Sequence, residues 1–322
     1  MSQTRVGVLR GGPSSEYEVS LETGRSVLEH LPEPYRGVDI FIDREGHWHY
    51  AGLPTTPARA ARQVDVFFNA LHGEYGEDGR LQNLLDQLGA PYTGSGVFAS
   101  AVGMNKALAK EVFRRQGIKT PLGLSFWRDE AETAAEIIFA KLPPPWVVKP
   151  LDRGSSVGLT LARSYPALAA ALVAAWEISP RVLVEEYIRG REATCGVLDD
   201  FRGREHYALP PIEIRRPDGK AVWDYTDKYS GATEEICPAV GLTSEEKAAV
   251  EQAAVAAHRA LGLRHYSRAD FILGRRGIYL LEVNTLPGLT PTSLLPKSLA
   301  AVGVSYPQFL AHLVNLARDG RA

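Results

Sequence analysis

The sequence predicts an α/β fold with more than one domain, and three observations support this prediction. Residues 5–9 form a short apolar run, a Gly-Gly pair follows, and a helix is expected to begin near the next serines, which is how many α/β folds open. The apolar run from Val64 leads into a second glycine-rich loop in the same way. Residues 267–288 are predicted to form a β-hairpin, because two apolar runs flank a Gly-Arg-Arg-Gly turn. At 322 residues the chain is long enough for two or three domains.

Composition narrows the range of partners. The chain is 45% hydrophobic and 23% charged, which is ordinary for a globular protein, and its formal net charge of −2 gives no argument for a nucleic acid or an anionic membrane as partner. No apolar run is long enough to span a bilayer, and the N-terminus lacks the apolar core of a signal peptide. Cys195 and Cys237 are the only cysteines, so no disulfide framework is expected. We therefore expect a cytoplasmic protein without nucleic-acid or membrane partners.

The predicted hairpin contains a set of oxygen ligands. Side chains alternate between the two faces of a strand, so Glu282 and Asn284 point the same way, and the short turn brings Asp270 roughly opposite them. Two carboxylates and an amide oxygen suit a hard divalent cation such as Mg²⁺. Arg268 lies on the same face, so the alternative is an arginine–carboxylate pair that holds the hairpin. The glycine- and hydroxyl-rich loop 285–296 is of the kind that offers backbone N–H groups to an anion, which favours a phosphate-handling site.

Two loops near the N-terminus are candidates for substrate binding. Glu16 follows the first strand and turn, where a carboxylate either holds a substrate ammonium group or stabilises the helix N-terminus. The loop after the second strand contains His72 and several acids, at the edge of the sheet where ligands bind in open α/β folds, although such residues also cap helices. The G-x-G-x-x-G spacing is absent, which disfavours a Rossmann dehydrogenase.

The middle of the chain offers residues suited to a nucleotide. Lys149 is embedded in an apolar run and needs an anionic partner. In the loop after it Ser155 and Ser156 stand between glycines, which is typical of loops that place N–H and O–H groups over phosphates; a plain hairpin turn is the alternative. Glu185 and Glu192 fall at the ends of two predicted strands, where they are either surface acids or partners for an adenine amino group or ribose hydroxyls.

Two further segments contain charged candidates. A helix is predicted over residues 99–116, with Lys106 and Lys110 on one face, and Lys106 alone is consistent with a solvated charge. Residues 223–231 are polar and aromatic and are predicted to form a lid loop that excludes water from a site, with Lys228 and Tyr229 as its main contacts.

Taken in order, these segments closely resemble the D-alanine–D-alanine ligases of bacteria, members of the ATP-grasp superfamily. The matching motifs are Gly-Gly-Pro-Ser-Ser-Glu-Tyr-Glu-Val-Ser, Leu-His-Gly-Glu-Tyr-Gly-Glu-Asp-Gly, Tyr-Thr-Gly-Ser-Gly, Val-Lys-Pro with Gly-Ser-Ser-Val-Gly, Asp-Tyr-Thr-Asp-Lys-Tyr, and Arg-Ala-Asp with Leu-Glu-Val-Asn-Thr-Leu-Pro-Gly. The resemblance covers nearly the whole chain. It implies an ATP-grasp fold, with a Rossmann-like parallel-sheet substrate domain over residues 1–96 and two α+β subdomains, 97–186 and 187–322, that sandwich ATP. The last of these would contain the metal site and the lid.

The resemblance also implies a reaction. ATP phosphorylates the carboxylate of a first D-alanine, and the amine of a second attacks the acylphosphate, which gives D-alanyl-D-alanine for peptidoglycan synthesis, ADP and phosphate. The implied metal is Mg²⁺ or Mn²⁺, with two ions expected at Asp270, Glu282 and Asn284. The implied ATP contacts are Lys106, Lys149, Ser156, Glu185, Glu192 and Lys228.

The same resemblance assigns roles to catalytic and substrate-binding residues. The implied catalytic set is Glu16, Ser155, Tyr229, Arg268 and Gly288, and the implied substrate contacts are Glu16, His72, Ser293 and Leu294. Glu16, linked to Ser155 and Tyr229, would fix the ammonium group of the first D-alanine. Arg268 and the Gly288 N–H group would form an oxyanion hole. Ser293 and the Leu294 N–H group would hold the carboxylate of the second substrate.

The sequence departs from the family pattern at four positions. Asn105 stands where the family usually has Asp, Thr292 where it often has His, Glu186 where Lys is common, and Trp223 in place of Tyr or Phe. Thr292 falls beside the second-substrate site, which leaves open a sister ligase that joins D-alanine to D-lactate or D-serine, although the lid resembles the D-alanine type. A catalytically silent ATP-binding sensor of D-alanine is a more distant alternative. A homodimer is implied by the family alone.

Overall fold

The computed structural model describes residues 3–151, 158–215 and 233–320. Within these ranges the chain forms three β-sheets covered by helices, which confirms the predicted mixed α/β class. The first sheet has the order β4-β3-β2-β1-β5, and its strand β1 is parallel to both of its neighbours, β2 and β5. Its elements are Thr4–Gly11 (β1), Tyr17–His30 (α1), Tyr35–Ile42 (β2), Trp48–Tyr50 (β3), Leu53–Thr55 (β4), Pro57–Ala61 (α2), Val66–Asn69 (β5) and Arg80–Gln87 (α3).

The second sheet is antiparallel, with the order β6-β9-β7-β8. The elements of this part of the chain are Val97–Met104 (α4), Lys106–Arg115 (α5), Gly123–Trp127 (β6), Arg128–Glu130 (a 3₁₀ turn), Ala131–Lys141 (α6), Trp146–Pro150 (β7), Thr160–Ala162 (β8), Tyr165–Trp176 (α7) and Arg181–Glu186 (β9). Helices α6 and α7 cover one face of the sheet, and Trp146 and Val148 pack there against Leu168 and Trp176.

The third sheet is also antiparallel, with the order β13-β12-β10-β14-β15 and β11 paired to β10. Its elements are Gly190–Phe201 (β10), Arg204–Ala208 (β11), Ile212–Arg215 (β12), Glu234–Ile236 (β13), Ser244–Ala260 (α8), Tyr266–Gly274 (β14), Gly277–Asn284 (β15), Leu294–Ala301 (α9) and Tyr306–Arg318 (α10). The predicted middle domain, residues 97–186, begins with α4 and ends with β9. Its first two helices, α4 and α5, nevertheless pack into the core of the third sheet. The division into three domains stays a prediction.

One hydrophobic core joins the first and third sheets. Val6 and Phe68 from the parallel sheet pack with Leu198 and Tyr266 of the third sheet, and Phe309 of α10 lies in the same core. All five side chains are fully buried or nearly so. Because burial of apolar surface stabilises contacts by about 25 cal/mol per Å², this shared core fixes the strand ends of the first sheet beside the third sheet.

The strand–turn–helix predicted at the N-terminus is confirmed, and its turn depends on a glycine. Gly11 has a φ of +86°, and a Cβ atom there would lie 2.3 Å from the carbonyl oxygen of Ile42. A residue with a side chain would therefore clash with the neighbouring strand as well as strain the backbone. The turn leads to Glu16, which immediately precedes α1 at the carboxyl end of β1.

The prediction of a single helix over residues 99–116 is wrong in one respect. The structure has two helices here, α4 and α5, separated at Asn105. Asn105 has extended backbone angles, and its side chain accepts a hydrogen bond of 3.1 Å from the Leu108 N–H group. An asparagine in this position caps a new helix. Lys106 is consequently the first residue of α5 rather than a mid-helix residue.

In the part of the chain that the structure describes, no individual helix combines the length and apolar character needed to cross a bilayer. Helices α9 and α10 meet those criteria only when taken as a pair, and they are bent by 104° relative to one another.

Candidate active site

The predicted hairpin is formed by β14 and β15, and its register shifts by one residue between Asp270 and Phe271. Asp270 lies directly opposite Glu282, and Arg268 lies opposite Asn284. The Asn284 side-chain amide donates a hydrogen bond of 3.2 Å to Asp270 Oδ2. The three residues predicted as metal ligands therefore cluster at one end of the hairpin.

Arg268 and Asp270 form a buried pair within this cluster. Arg268 Nε donates to Asp270 Oδ1 and a terminal guanidinium nitrogen donates to Oδ2, each at 2.9 Å, and Thr194 Oγ1 donates to Oδ1 at 2.6 Å. Burial alone would lower the pKa of Arg268, but the carboxylates of Asp270 and Glu282 hold it above its usual value. The arginine pairing considered as an alternative is therefore present together with the ligand cluster.

The donor atoms of this cluster fit a hard divalent cation. Glu282 and Asn284 line the cleft described below, while Asp270 lies behind them and is 6% exposed. An ionised carboxylate has about four lone-pair sites, and Arg268, Thr194 and Asn284 together fill those of Asp270, so Asp270 contributes an oxygen to a cation by releasing the Asn284 amide while it keeps its arginine. Carboxylate and amide oxygens are the ligands that Mg²⁺ prefers.

A cleft of about 560 Å³ brings together most of the predicted site residues. The predicted residues on its walls are Glu16, His72, Lys106, Arg268, Glu282, Asn284, Gly288, Ser293 and Leu294. Loops at the strand ends of the first sheet form one wall, and the hairpin and the loop after it form the other. A cleft of this size accommodates a pair of small amino acids or part of a nucleotide.

His72 is held in place on the first wall. It is 3% exposed, its Nε2 lies 2.9 Å from Thr23 Oγ1, and its Nδ1 lies 3.7 Å from Glu77 Oε1. The loop that carries it closes on itself at Gly76, where a Cβ atom would lie only 2.0 Å from the Leu71 carbonyl oxygen. Only glycine permits this close approach, so the sequence fixes the loop and the histidine with it.

The loop between β15 and α9 brings Gly288 and Ser293 together. A Cβ atom on Gly288 would lie 3.0 Å from Ser293 Oγ, and that hydroxyl lies 2.8 Å from Thr290 Oγ1 and accepts a hydrogen bond of 3.1 Å from the Thr290 N–H group. Leu294 is the first residue of α9. The first N–H groups of a helix have no acceptor within the helix and favour anions, so this loop suits a carboxylate.

A second charged cluster lies in the second sheet and the adjacent helix α5. Glu185 is 2% exposed, and its two carboxylate oxygens contact Lys110 Nζ at 2.5 Å and Lys149 Nζ at 2.6 Å. Burial lowers the pKa of Lys110 to about 8, against the attraction of Glu185. Burial likewise opposes the charged forms of Lys149 and Glu185, but their mutual attraction keeps the pKa of Lys149 raised and that of Glu185 lowered.

The remaining predicted residues are distributed as follows. Lys106 Nζ lies 3.5 Å from Glu282 Oε2, which connects α5 to the hairpin. Lys149, Glu185 and Glu192 are not among the cleft-lining residues in the described ranges; Glu192 lies on β10 between Ile214 and Ile272. Ser155, Ser156, Lys228 and Tyr229 lie outside the described residues, as do Trp223 and the predicted lid.

Lys110, Glu235 and Lys297 are among the charged residues that were not assigned to the site from the sequence. Lys110 belongs to the buried cluster, and Glu235 and Lys297, whose side chains pair at 2.5 Å, line the cleft. A signal for Lys110 existed, because it falls between Ala109 and Phe113 on the buried stripe of α5. No comparable signal marks the Glu235–Lys297 pair, since its partners are 62 residues apart.

The pKa of Lys110 leads to a testable pH dependence. Near pH 7 Lys110 is protonated and adds positive charge beside Glu185, Lys149 and Glu282; above pH 8 this charge is lost. If the ATP that the family resemblance implies binds here and raises the pKa of Lys110 by about one unit, its affinity falls roughly tenfold above that range. We expect calorimetric titration between pH 7 and 9.5 to show this decrease, and Lys110→Met to remove it. The exposed Lys141→Met is the matched control, and a Lys110→Met profile identical to that of the unchanged protein would refute the expectation.

Comparison with known proteins was made once this geometry was established. The family model described as D-ala D-ala ligase C-terminus matches residues 113–315, and the model described as D-ala D-ala ligase N-terminus matches residues 5–58 and 52–95. The chain is 39% identical to a protein named D-alanine--D-alanine ligase from Pelotomaculum thermopropionicum, over 98% of this chain and 97% of that protein.

Two solved structures resemble the whole chain. The VanG D-Ala:D-Ser ligase from Enterococcus faecalis is 31% identical with a TM-score of 0.86, over 98% of this chain and 99% of that chain. The D-alanine--D-alanine ligase from Bacillus anthracis, solved in complex with ATP, is also 31% identical with a TM-score of 0.81, over 99% of this chain and 100% of that chain. Both therefore share the fold across all three sheets.

Proposed function

The chain belongs to the D-alanine–D-alanine ligase family, and from this membership we propose that its cleft is the active site of an ATP-dependent enzyme that joins two D-alanines to D-alanyl-D-alanine through a D-alanyl phosphate. The observation that supports this most directly is the composition of this cleft. An acid, Glu16, stands on one wall, and a buried arginine, the hairpin acids and an N–H-rich loop stand on the other. Such a cleft can hold a zwitterionic amino acid, such as D-alanine, together with the phosphate groups of a nucleotide. Peptidoglycan precursor synthesis is the process served.

In the proposed arrangement the first D-alanine is held by its ammonium group and activated at its carboxylate. Glu16 pairs with the ammonium group, while the carboxylate faces Arg268 and the Gly288 N–H group across the cleft. Transfer of the γ-phosphoryl group brings two anions together, and this step is favoured only where positive charge is dense. Lys106, Lys149 and Arg268 supply that charge from the protein.

Asp270, Glu282 and Asn284 would hold Mg²⁺ or Mn²⁺, with two ions expected from the family. The chemistry that these ions supply is neutralisation of the phosphate oxygens. The protein's own part is to fix the ligands: Arg268 and Thr194 orient Asp270, and Lys106 approaches Glu282 from α5.

The second D-alanine is proposed to occupy the end of the cleft near α9. Its carboxylate would bind the Ser293 hydroxyl and the Leu294 N–H group, which leaves its amine free to attack the acyl carbon. The ammonium group first loses one proton to solvent, and the resulting amine adds to the acyl carbon to give a tetrahedral intermediate whose oxyanion lies at Arg268 and Gly288. The nitrogen then loses its second proton, and the C–O bond breaks to release phosphate. We also propose, from the family, a homodimer acting in the cytoplasm.

A D-alanine–D-serine ligase is the second candidate, and one observation favours keeping it. Thr292, which departs from the family pattern, lines the cleft together with Ser293 and the Glu235–Lys297 pair. These residues surround the proposed second-substrate position. The relative that is 39% identical is named D-alanine--D-alanine ligase, which nevertheless favours D-alanine as the second substrate.

The test of the proposed function is the release of ADP with ATP, Mg²⁺ and D-alanine, with products identified by mass. We expect strong turnover with D-alanine alone and D-alanyl-D-alanine as the product, because the cleft offers a carboxylate-binding loop beside the oxyanion donors. Turnover that requires added D-serine or D-lactate would assign the sister reaction instead. ATP binding without turnover under any of these conditions would indicate a sensor.

A further inference from the structure

A second group of potential ligands lies outside the cleft, where the β10–β11 hairpin meets helix α8. Asp199 on β10 pairs across the hairpin with His206 on β11, and His258 of α8 approaches the same position. One carboxylate oxygen, Asp199 Oδ1, lies 2.8 Å from His206 Nδ1 and 3.0 Å from His258 Nε2. The three ligand atoms all lie within 4.8 Å of one another.

Two of these three side chains are oriented by a partner outside the group. His258 is fully buried, and its Nδ1 lies 2.7 Å from Ser267 Oγ, so that Nε2 points at Asp199. Asp199 Oδ2 accepts a hydrogen bond from the His265 N–H group, which turns Oδ1 toward the histidines. Hydrogen bonds of this kind commonly orient the ligands of protein metal sites.

The chemical types of the three side chains also suit a cation. Two imidazoles and one carboxylate form a ligand set typical of zinc rather than magnesium.

We propose that Asp199, His206 and His258 bind a transition-metal dication of the zinc class. Ligand atoms around a tetrahedral zinc ion lie about 3.3 Å apart. The distances from Asp199 Oδ1 to His206 Nδ1 and to His258 Nε2 must therefore each increase by a few tenths of an ångström when the ion binds. The side chains of His206 and Asp199 are 15% and 16% exposed, which gives the ion a path and leaves a fourth position for water. This site is separate from the magnesium ligands on the β14–β15 hairpin.

Occupation of the site would stabilise the sheet beside the active site. The ion would join β10, β11 and α8. It would also lie near β14, because His258 contacts the Ser267 hydroxyl and Ser267 is the residue before Arg268 on that strand. A metal that binds only the folded state raises the thermal midpoint, and its stabilising free energy grows with the logarithm of metal concentration above the Kd. The expected effect is therefore on stability, without a required change in turnover.

The test uses the full chain treated with a chelator and then kept in excess Mg²⁺, so that the hairpin ligands stay occupied. We expect calorimetric titration with Zn²⁺ to show one equivalent, Co²⁺ to give the visible absorption bands of a tetrahedral site, and the thermal midpoint to rise with either metal. His206→Gln should abolish all three, and it removes only a partly exposed side chain. His258→Gln should also abolish them if it folds.

The control is His47→Gln, because Asp43, Glu45 and His47 form an exposed group of similar composition on the first sheet. Metal binding should survive in this variant. Absence of binding in the unchanged protein, equal binding in His206→Gln, or loss of binding in His47→Gln would each overturn the proposal. None of these outcomes depends on ligase activity, so the proposal and the proposed function can fail separately.

Discussion

Replacement of Arg268 by alanine is expected to lower kcat by roughly 10²–10³-fold, the usual cost of losing one oxyanion donor. The side chain lies on the cleft wall, and two of its three guanidinium nitrogens donate to Asp270, so its position is fixed before any substrate binds. Binding of ATP should be largely kept, because Lys106 and Lys149 are untouched. The measurement is steady-state ADP release together with calorimetric ATP binding.

This variant also disturbs a buried pair, so folding must be checked separately. Removing one partner of such a pair typically costs about 3–5 kcal/mol, although Thr194 and Asn284 would still donate to Asp270. Arg268→Lys keeps a charge and loses the two-pronged geometry, and it should retain stability while turnover stays low. Arg276→Ala, on the exposed turn of the same hairpin, is the matched control. Unchanged kcat in a folded Arg268→Ala protein would remove Arg268 from the mechanism.

The parts of the site that the sequence predicted well are those set by local periodicity. The alternation of a strand placed Glu282 and Asn284 on one face, and the short turn brought Asp270 roughly opposite them; the exact pairing of Asp270 with Glu282 depends on a register shift between Asp270 and Phe271 that the sequence did not indicate. Glycines at positions of close backbone approach, such as Gly11 and Gly76, likewise marked the loops that carry Glu16 and His72.

The parts that sequence reasoning could not supply depend on contacts between distant segments. Glu185 was expected to face a nucleotide, and the structure shows both of its oxygens holding lysines from two other elements. Nothing local to Glu185 indicates which distant cation will pair with it. The same holds for Asp199 and His258, whose side chains meet only because α8 packs on the third sheet.

Glu282→Gln is expected to weaken metal binding by about 100-fold or more. Substitution of a residue that only hydrogen-bonds to a metal ligand typically costs about 10–100-fold in affinity, and loss of a direct ligand should cost no less. The substitution removes a charge from the cleft wall while preserving the shape of the side chain. Turnover should fall and its dependence on Mg²⁺ should shift to higher concentration. The measurement is the initial rate against Mg²⁺ concentration, together with Mn²⁺ binding followed by electron paramagnetic resonance. Glu136→Gln, exposed on α6, is the control.

A second variant separates the two roles that the structure allows for Glu282. If Glu282 serves only to pair with Lys106, at 3.5 Å, then Lys106→Met should reproduce the loss of turnover, and the Mg²⁺ dependence should stay unchanged in both variants. If Glu282 is a metal ligand, only Glu282→Gln shifts the Mg²⁺ dependence and lowers Mn²⁺ binding, whereas Lys106→Met raises the KM for ATP. The combined variant then shows both defects, because the two side chains act on different charges: one on the cation, the other on the phosphates.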